Sequence, residues 1–278
     1  MSYKKILTVQ DISCVGQCSL TVALPILSAC GMETCILPSA ILSTHTAGFS
    51  DFTFRDLTDD IPAIREHWQK ENIKFDAIYT GYLGSTKQIS YVKDLFDNLS
   101  KETSIKIVDP AMADNGKLYP AFDEAYVEAM KTLCAEADVL LPNITEACFL
   151  TDTEYKTEYD EDYIKSLISK LEDLGVKTVV LTGVGFNAGK TGIAVSENGN
   201  YAYYEHNRIA KGSHGTGDVY ASAFVGALMN NKSIFEAAKI AADYTVECIK
   251  ITQEDPSHWY GVKFELALPK LIKMLGLN

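Results

Sequence analysis

The chain has 278 residues, 47% of them hydrophobic, which is enough to bury a sizeable core in one large domain or in two small ones. Its formal net charge of −12 excludes a nucleic-acid partner, because non-specific binding to a phosphate backbone depends on clustered Lys and Arg. A small phosphate ligand is compatible with this charge, since backbone amides and a metal ion can hold it locally.

No segment of the sequence is typical of a membrane or secreted protein. Residues 1–5 lead into an apolar stretch without the length or cleavage site of a secretory signal. The longest apolar region, Leu20 to Gly31, contains Pro25 and is too short to span a bilayer. The seven cysteines lack the C-x-x-C spacing of zinc or redox sites. We therefore expect a cytoplasmic protein with no membrane partner, whose cysteines are mostly reduced and buried.

As far as Leu181, segments rich in Ile, Val and Leu alternate with longer amphipathic segments. This alternation predicts a mainly parallel sheet with helices on both faces. In chain order the predicted elements are strand Ile6–Val9, helix Ser19–Ala29, strand Cys35–Pro38, helix Thr58–Lys70, strand Ala77–Thr80, helix Lys87–Leu99, strand Ile105–Val108, helix Ala121–Cys134, strand Val139–Leu141, helix Thr145–Leu150, helix Asp160–Leu174 and strand Thr178–Leu181.

The pattern then changes, because Thr191–Val195 and Tyr201–Glu205 flank a turn-like segment and predict an antiparallel pair of strands. No low-complexity tract, internal repeat or linker rich in Pro, Gly and Ser divides the chain. We therefore predict a single α/β domain over residues 1–278, a three-layer, doubly wound fold. The predicted helices after the hairpin are Asp218–Met229, Ile234–Lys250 and Phe264–Leu275.

The segment from Lys211 to Asp218, Lys-Gly-Ser-His-Gly-Thr-Gly-Asp, joins the predicted hairpin to an apolar helix. Gly215 and Gly217 let the backbone turn tightly, so that amides around Thr216 can point at developing negative charge. Asp218 follows at the helix start, where its carboxylate could accept a proton from an attacking hydroxyl. The alternative interpretation is a glycine-rich turn in which Asp218 is an ordinary residue of the first helical turn.

Two common phosphate-binding patterns are absent from the sequence. Gly189-Lys190-Thr191 resembles the end of a Walker A loop, but the first glycine of that loop should fall at Val184, and a strand is predicted next. The turn predicted after the first strand, Asp11 to Gly16, has one glycine instead of a GxGxxG pattern. This weakens the alternative of a nicotinamide-dependent oxidoreductase, which strand-helix alternation alone would permit.

Acidic and amide side chains follow two predicted strands, at the sheet edge where open parallel sheets bind ligands. Asp109 follows one strand, and Asn143 and Glu146 follow the next. Hard oxygen ligands suit Mg²⁺, which is shared with substrate phosphates, so Asp109 and Glu146 are candidates for holding Mg-ATP. The alternatives are an Asp-Pro turn and a helix cap.

Two turn segments, Ser43–Phe49 and Thr80–Ser85, carry aromatic and hydrogen-bonding groups that suit a pocket for a flat polar ring. Together with the segments above, and in this order along the chain, they resemble the pyridoxal/pyridoxamine kinase family of the ribokinase-like superfamily. The resemblance implies transfer of the ATP γ-phosphate to the 5′-hydroxymethyl group of a vitamin B6 vitamer. It also implies Mg²⁺, a role for a monovalent cation such as K⁺, and a homodimer.

The resemblance implies a role for each candidate residue. Asp218 is the general base, and amides around Gly215, Thr216 and Gly217 form the anion hole. The ring-binding residues are Asp11 or Ser13, with Thr46 and Tyr82, and the Mg-ATP side has Asp109, Asn143, Glu146, Thr182 and Gly183.

The chain departs from the resembled family in its first loop, Gln10–Cys18, which lacks the family's serine- and glycine-containing pattern. An Asp11 carboxylate would pair better with a protonated pyridine than a serine would, so the vitamer is left open. The nearest alternative is a hydroxymethylpyrimidine kinase, which uses the same chemistry on another flat ring. A sugar kinase and a non-catalytic vitamer sensor are further alternatives.

Overall fold

A computed structural model describes residues 3–209 and 213–277 of the chain. Lys211 and Gly212, at the start of the predicted glycine-rich segment, lie outside the described residues. The strands are β1 (Lys5–Ser13), β2 (Glu33–Leu42), β3 (Phe54–Asp56), β4 (Phe75–Thr80), β5 (Ser100–Val108), β6 (Ala113–Asp114), β7 (Lys117–Leu118), β8 (Val139–Leu140), β9 (Thr178–Val184), β10 (Lys190–Glu197) and β11 (Asn200–Asn207). The helices are α1 (Leu20–Ala29), α2 (Ile61–Lys70), α3 (Thr86–Leu99), α4 (Glu124–Cys134), α5 (Ile144–Leu150), α6 (Glu161–Glu172), α7 (Thr216–Met229), α8 (Ile234–Gln253) and α9 (Phe264–Leu275).

Within the described residues the main sheet has the strand order β11-β10-β9-β8-β5-β4-β1-β2-β3. The six strands from β9 to β2 in this order are parallel to one another, whereas β10, β11 and β3 pair antiparallel at the two ends. The short strands β6 and β7 form a separate hairpin after β5. The predicted doubly wound, mainly parallel sheet is therefore confirmed.

Two hydrophobic cores cover the two faces of this sheet. On β4, Ala77 and Tyr79 belong to the core that contains α1, α7, α8 and α9, while Ile78 between them belongs to the core with α3, α4 and α6. Successive side chains of a strand point to opposite faces, so one buried strand supplies both cores. The result is the predicted three-layer arrangement.

The structure corrects the turn predicted at Asp11–Gly16. Strand β1 continues to Ser13 because, beyond a register shift, Ile12 and Ser13 pair with residues at the end of β2. Asp11 and Ser13 are therefore strand residues and not loop residues. By contrast, Lys190 begins strand β10, which confirms the rejection of a Walker A loop there. Among the described helices, none has the length and apolar character needed to cross a membrane.

Candidate active site

From Gly215 onwards the glycine-rich segment forms the start of helix α7, at the sheet edge where the parallel strands end. Gly215 is the N-cap residue with φ 75°, in the left-handed region that favours glycine. A methyl group there would also overlap the carbonyl oxygen of Gln17, whereas one at Gly217 would meet no atom within 4 Å. The first turn of α7 thus packs against the loop before α1 and leaves Gly217 exposed.

Asp218 lies in the first turn of α7. Burial raises the pKa of its carboxyl to about 7, the negative charge of Asp11 adds to the effect, and the backbone N–H of Ser19 opposes it. A carboxyl with a pKa near neutrality can exchange a proton with a hydroxyl at physiological pH. A pKa in this range is compatible with the general-base role that the sequence predicts for Asp218.

Asp11 and Ser13 are buried at the end of β1, and the hydroxyl of Ser13 donates to Asp11 Oδ2 at 2.9 Å. Burial raises the pKa of the Asp11 carboxyl, although the hydroxyl groups of Ser19 and Ser13 lower it. The structure thus brings together Asp11, Ser13 and Asp218, which the sequence separates by about 200 residues. It also adds Ser19, which sequence reasoning missed.

The other two predicted ring-binding residues have different surroundings. Tyr82 is partly buried, its ring lies 5.4 Å from that of Phe122, and burial raises its pKa together with the charge of Asp11. Thr46 is exposed in the loop after β2. Its neighbour His45 is buried, donates from Nε2 to the Tyr260 carbonyl at 2.7 Å and accepts the Ala47 N–H at Nδ1 at 3.1 Å. These bonds support a structural histidine.

Glu146 and Asn143 form a capping box at the start of α5. Asn143 Oδ1 accepts the N–H of Glu146 at 2.9 Å, and Glu146 Oε2 accepts the N–H of Asn143 at 2.9 Å. Glu146 Oε1 also accepts the N–H of Met112 at 3.1 Å, so this buried acid fastens the segment after β5. The helix-cap interpretation of Glu146 is therefore confirmed.

Three carboxyls influence one another at this edge of the sheet. Burial raises the pKa of Asp109 well above its usual range, and the negative charges of Glu146 and Asp218 add to the effect. Burial also raises the pKa of Glu146 to about 7, against the lowering effect of its backbone donors. Tyr119, which sequence reasoning gave no role, lies near the same acids, whose charges add to the burial that raises its pKa.

These acids fit Mg²⁺ shared with a nucleotide better than an all-protein metal cage. In the described part of the chain, no group of three or more His, Cys, Asp or Glu side chains is arranged to hold a metal ion. Mg²⁺ in nucleotide sites is commonly bound through one or two carboxylates together with waters and phosphates. The charges that act on Asp109 are both negative, so a divalent cation would relieve their repulsion.

The predicted nucleotide-side residues Thr182 and Gly183 lie at the end of β9. The N–H and the hydroxyl of Thr182 both donate to the carbonyl of Pro142, at 2.9 and 3.3 Å, which places Thr182 beside Asn143. Gly183 is exposed with φ 79°, and its carbonyl accepts the hydroxyl of Tyr159 at 3.4 Å. Of the nucleotide-side candidates, Thr182 and Asn143 are thus adjacent.

The doubly wound sheet and the glycine-rich start of α7 with its adjacent acid define the protein as a kinase with the ribokinase-like fold. The sequence profile described as phosphomethylpyrimidine kinase matches residues 27–262. The chain belongs to this family.

Relatives in the family include kinases of two kinds. The chain is 28% identical to the pyridoxal kinase of Dictyostelium discoideum over 80% of this chain and 77% of the relative. It is 29% identical to the hydroxymethylpyrimidine/phosphomethylpyrimidine kinase of Aquifex aeolicus over 69% of this chain and 72% of the relative. The relatives of the chain therefore include one kinase of pyridoxal and one of hydroxymethylpyrimidine.

Solved structures agree with this assignment. A Bacteroides thetaiotaomicron protein provisionally classed as a phosphomethylpyrimidine kinase, in a crystal form with pyridoxal, is 37% identical, with a TM-score of 0.92 over 97% of this chain and 96% of that one. The pyridoxal kinase of Lactobacillus plantarum is 30% identical, with a TM-score of 0.90 over 98% of each chain.

Proposed function

We propose that this protein transfers the γ-phosphate of ATP to the 5′-hydroxymethyl group of a vitamin B6 vitamer, in the salvage of pyridoxal phosphate. The observation that carries the proposal is the placement of Asp218 in the first turn of α7, with a pKa raised to about 7, near the polar end of β1. A hydroxymethyl group bound between α7 and β1 would meet a base of suitable acidity.

In the proposed reaction Asp218 accepts the proton of the hydroxymethyl group as its oxygen attacks the γ-phosphorus of ATP. The bond between that phosphorus and the β,γ-bridging oxygen breaks, and ADP leaves with the bonding electron pair. The backbone amides of Gly215, Thr216 and Gly217, at the N-terminus of α7, stabilise negative charge on the transferred group. Mg-ATP supplies the phosphoryl group and the cation that neutralises its charge. Asp109 and Glu146 would hold the Mg²⁺ of Mg-ATP. Asn143, Thr182 and Gly183 would contact the nucleotide.

A vitamin B6 ring is favoured by the buried pair of Asp11 and Ser13. The carboxyl of Asp11 offers an acceptor to a protonated pyridine nitrogen, and Ser13 fixes its orientation through the 2.9 Å hydrogen bond. Tyr82 and Thr46 complete the proposed ring pocket. The structural relative with pyridoxal and the Dictyostelium pyridoxal kinase support the same substrate class.

A hydroxymethylpyrimidine kinase is the second candidate function. It is favoured by the family profile over residues 27–262 and by the Aquifex aeolicus relative. The proposed catalytic residues would be the same, because this substrate is also a flat ring with a hydroxymethyl group. The two candidate functions therefore differ in which ring the pocket accepts, and the phosphoryl-transfer chemistry is the same in both.

A phosphorylation assay with Mg-ATP separates these functions. Pyridoxal, pyridoxamine, pyridoxine and hydroxymethylpyrimidine are compared at equal concentrations, and ADP and the phosphorylated ring are both quantified. We expect the highest kcat/KM with one of the three vitamers. Preference for hydroxymethylpyrimidine would assign the second function, and vitamer binding without turnover would indicate a sensor.

The quaternary structure and domain organisation belong to the same proposal. We expect one catalytic domain over residues 1–278 and a homodimer of such chains. Light scattering coupled to size-exclusion chromatography would report twice the mass of one chain for this assembly and a single chain mass for a monomer.

A further inference from the structure

The loop between β1 and α1 has an unusual backbone. Gly16, Gln17 and Ser19 all have positive φ, at 125°, 55° and 54°. Glutamine and serine rarely adopt this left-handed conformation, because the Cβ atom approaches the backbone too closely. Such a conformation persists when the surrounding structure holds it in place, and it is found most often at functional sites.

This loop contacts the start of helix α7. The carbonyl oxygen of Gln17 is so close to Gly215 that it would overlap a methyl group there, so the two backbones are in close contact. The backbone N–H of Ser19 is close enough to the Asp218 carboxyl to lower its pKa. A shift of the loop would therefore move both the helix start and a donor to Asp218.

Both polar atoms of the Gln17 side-chain amide form hydrogen bonds with residues near the C-terminus of the chain. Its Oε1 accepts the Nε2–H of His258 at 2.9 Å, and its Nε2 donates to Glu265 Oε1 at 2.8 Å. A methyl group on Gly261 would lie 2.8 Å from both Gln17 Oε1 and the Gly16 carbonyl oxygen, so this segment also packs closely on the loop.

We propose that Gln17 is a positioning residue for Asp218, because His258 and Glu265 hold its amide and keep the left-handed loop against the start of α7. The inference rests on the proposed role of Asp218 as the general base. It assigns to the C-terminal segment a part in the reaction, although neither His258 nor Glu265 is among the residues assigned to substrate or nucleotide.

Three variants test this role. Gln17→Asn tolerates the left-handed conformation but is one methylene shorter, and His258→Ala removes one partner. Gln17→Gly removes both hydrogen bonds while relieving the backbone strain. We expect each variant to lower kcat about ten-fold with an unchanged KM for ATP, because small displacements of a reacting group have large rate effects. The Tm of Gln17→Gly should not fall below that of the wild type.

The controls separate positioning from stability. His67→Ala removes an exposed histidine in the last turn of α2 and should match the wild type in kcat and Tm. Combining His258→Ala with Gln17→Asn should lower kcat no further than Gln17→Asn alone, since both remove one interaction. Wild-type kcat in the single variants, or a kcat loss that tracks a Tm loss in all three, would overturn the positioning role.

Asp218→Asn is measured in the same series. An active Asp218→Asn would reject the proposed general base. An inactive Asp218→Asn together with fully active Gln17 and His258 variants would reject the positioning role alone.

Discussion

The carboxyl of Asp218 has a pKa raised to about 7 by burial and by the nearby Asp11 carboxylate. A general base must be ionised, so we predict that kcat for ring phosphorylation rises with pH and levels off above about pH 7. A pH-rate profile checks this prediction. Glu146 also has a pKa raised to about 7, so the profile should be repeated with Glu146→Gln to show which carboxyl sets the midpoint.

The same pKa shift predicts an effect on stability. A folded-state pKa above the usual value of 3.8 means that the folded protein binds this proton more tightly than the unfolded chain. The stabilisation that the proton gives is present at low pH and is lost as pH rises towards 7. Asp218→Asn stays uncharged, so it should raise Tm more at pH 8 than at pH 5. An equal change in Tm at both pH values would contradict the shift.

At the residue scale the sequence predicted the types of functional groups better than their partners. The sequence points to Asp218 because its carboxylate can accept a proton, whereas Asp11 or Ser13 follows only from the family resemblance. The structure brings these three residues together. Gln17 and His258 could not be paired in advance, because 241 positions separate them and neither lies in a recognisable motif. Ser19 acts on Asp218 through its backbone N–H, which any residue except proline has, and on Asp11 through its side chain.

At the element scale, the start of α7 depends on glycine at one of its two positions. We predict that Gly215→Ala lowers stability by about 1–2 kcal/mol or more, because alanine is strained at positive φ and its methyl group would overlap the Gln17 carbonyl. Gly217→Ala is the matched control, since a methyl group there meets no atom within 4 Å. Urea unfolding of both variants checks the prediction. Equal loss of stability would contradict it.

The capping boxes of α5 and α8, both within the described residues, provide a second comparison. Glu146 caps α5, and it also binds the N–H of Met112 in a buried position, whereas Glu236 caps the exposed start of α8. Glu146→Gln replaces one acceptor oxygen with an NH₂ group, which leaves a buried N–H without a partner and costs about 1–3 kcal/mol. We predict a larger drop in Tm for Glu146→Gln than for Glu236→Gln. The reverse order would argue against a structural role for Glu146.

The predicted element boundaries agree with the structure where a regular hydrophobic pattern sets them. They differ where pairing with a neighbouring strand sets them. Helix α9 was predicted at its observed limits, because its apolar positions repeat with helical spacing between Phe264 and Leu275. The predicted first strand ends at Val9, whereas β1 continues to Ser13. Gln10, Asp11 and Ser13 are polar, so the sequence does not indicate that they are buried strand residues. Strands β3, β6 and β7 have only two or three residues each, which is too short for a periodic signal.

At the scale of the whole molecule, strand-helix alternation was sufficient to predict the fold class, because a parallel sheet needs a crossover helix between its strands. The order of motifs was sufficient to predict a kinase. The substrate ring was not predictable to the same degree, because the relatives of the chain include both a pyridoxal kinase and a hydroxymethylpyrimidine/phosphomethylpyrimidine kinase, at 28% and 29% identity. Both substrates are flat rings with a hydroxymethyl group, so the choice between them depends on the side chains that bind the ring.

The proposed function depends on Asp218 acting as the base for a ring hydroxymethyl group. A direct test compares wild type and Asp218→Asn for turnover with Mg-ATP and the preferred vitamer, with ATP affinity measured by calorimetry. We predict a kcat lower by a factor of about 10² to 10⁴ and an unchanged ATP affinity, because the base acts in the transition state. Turnover of Asp218→Asn close to that of the wild type would contradict it.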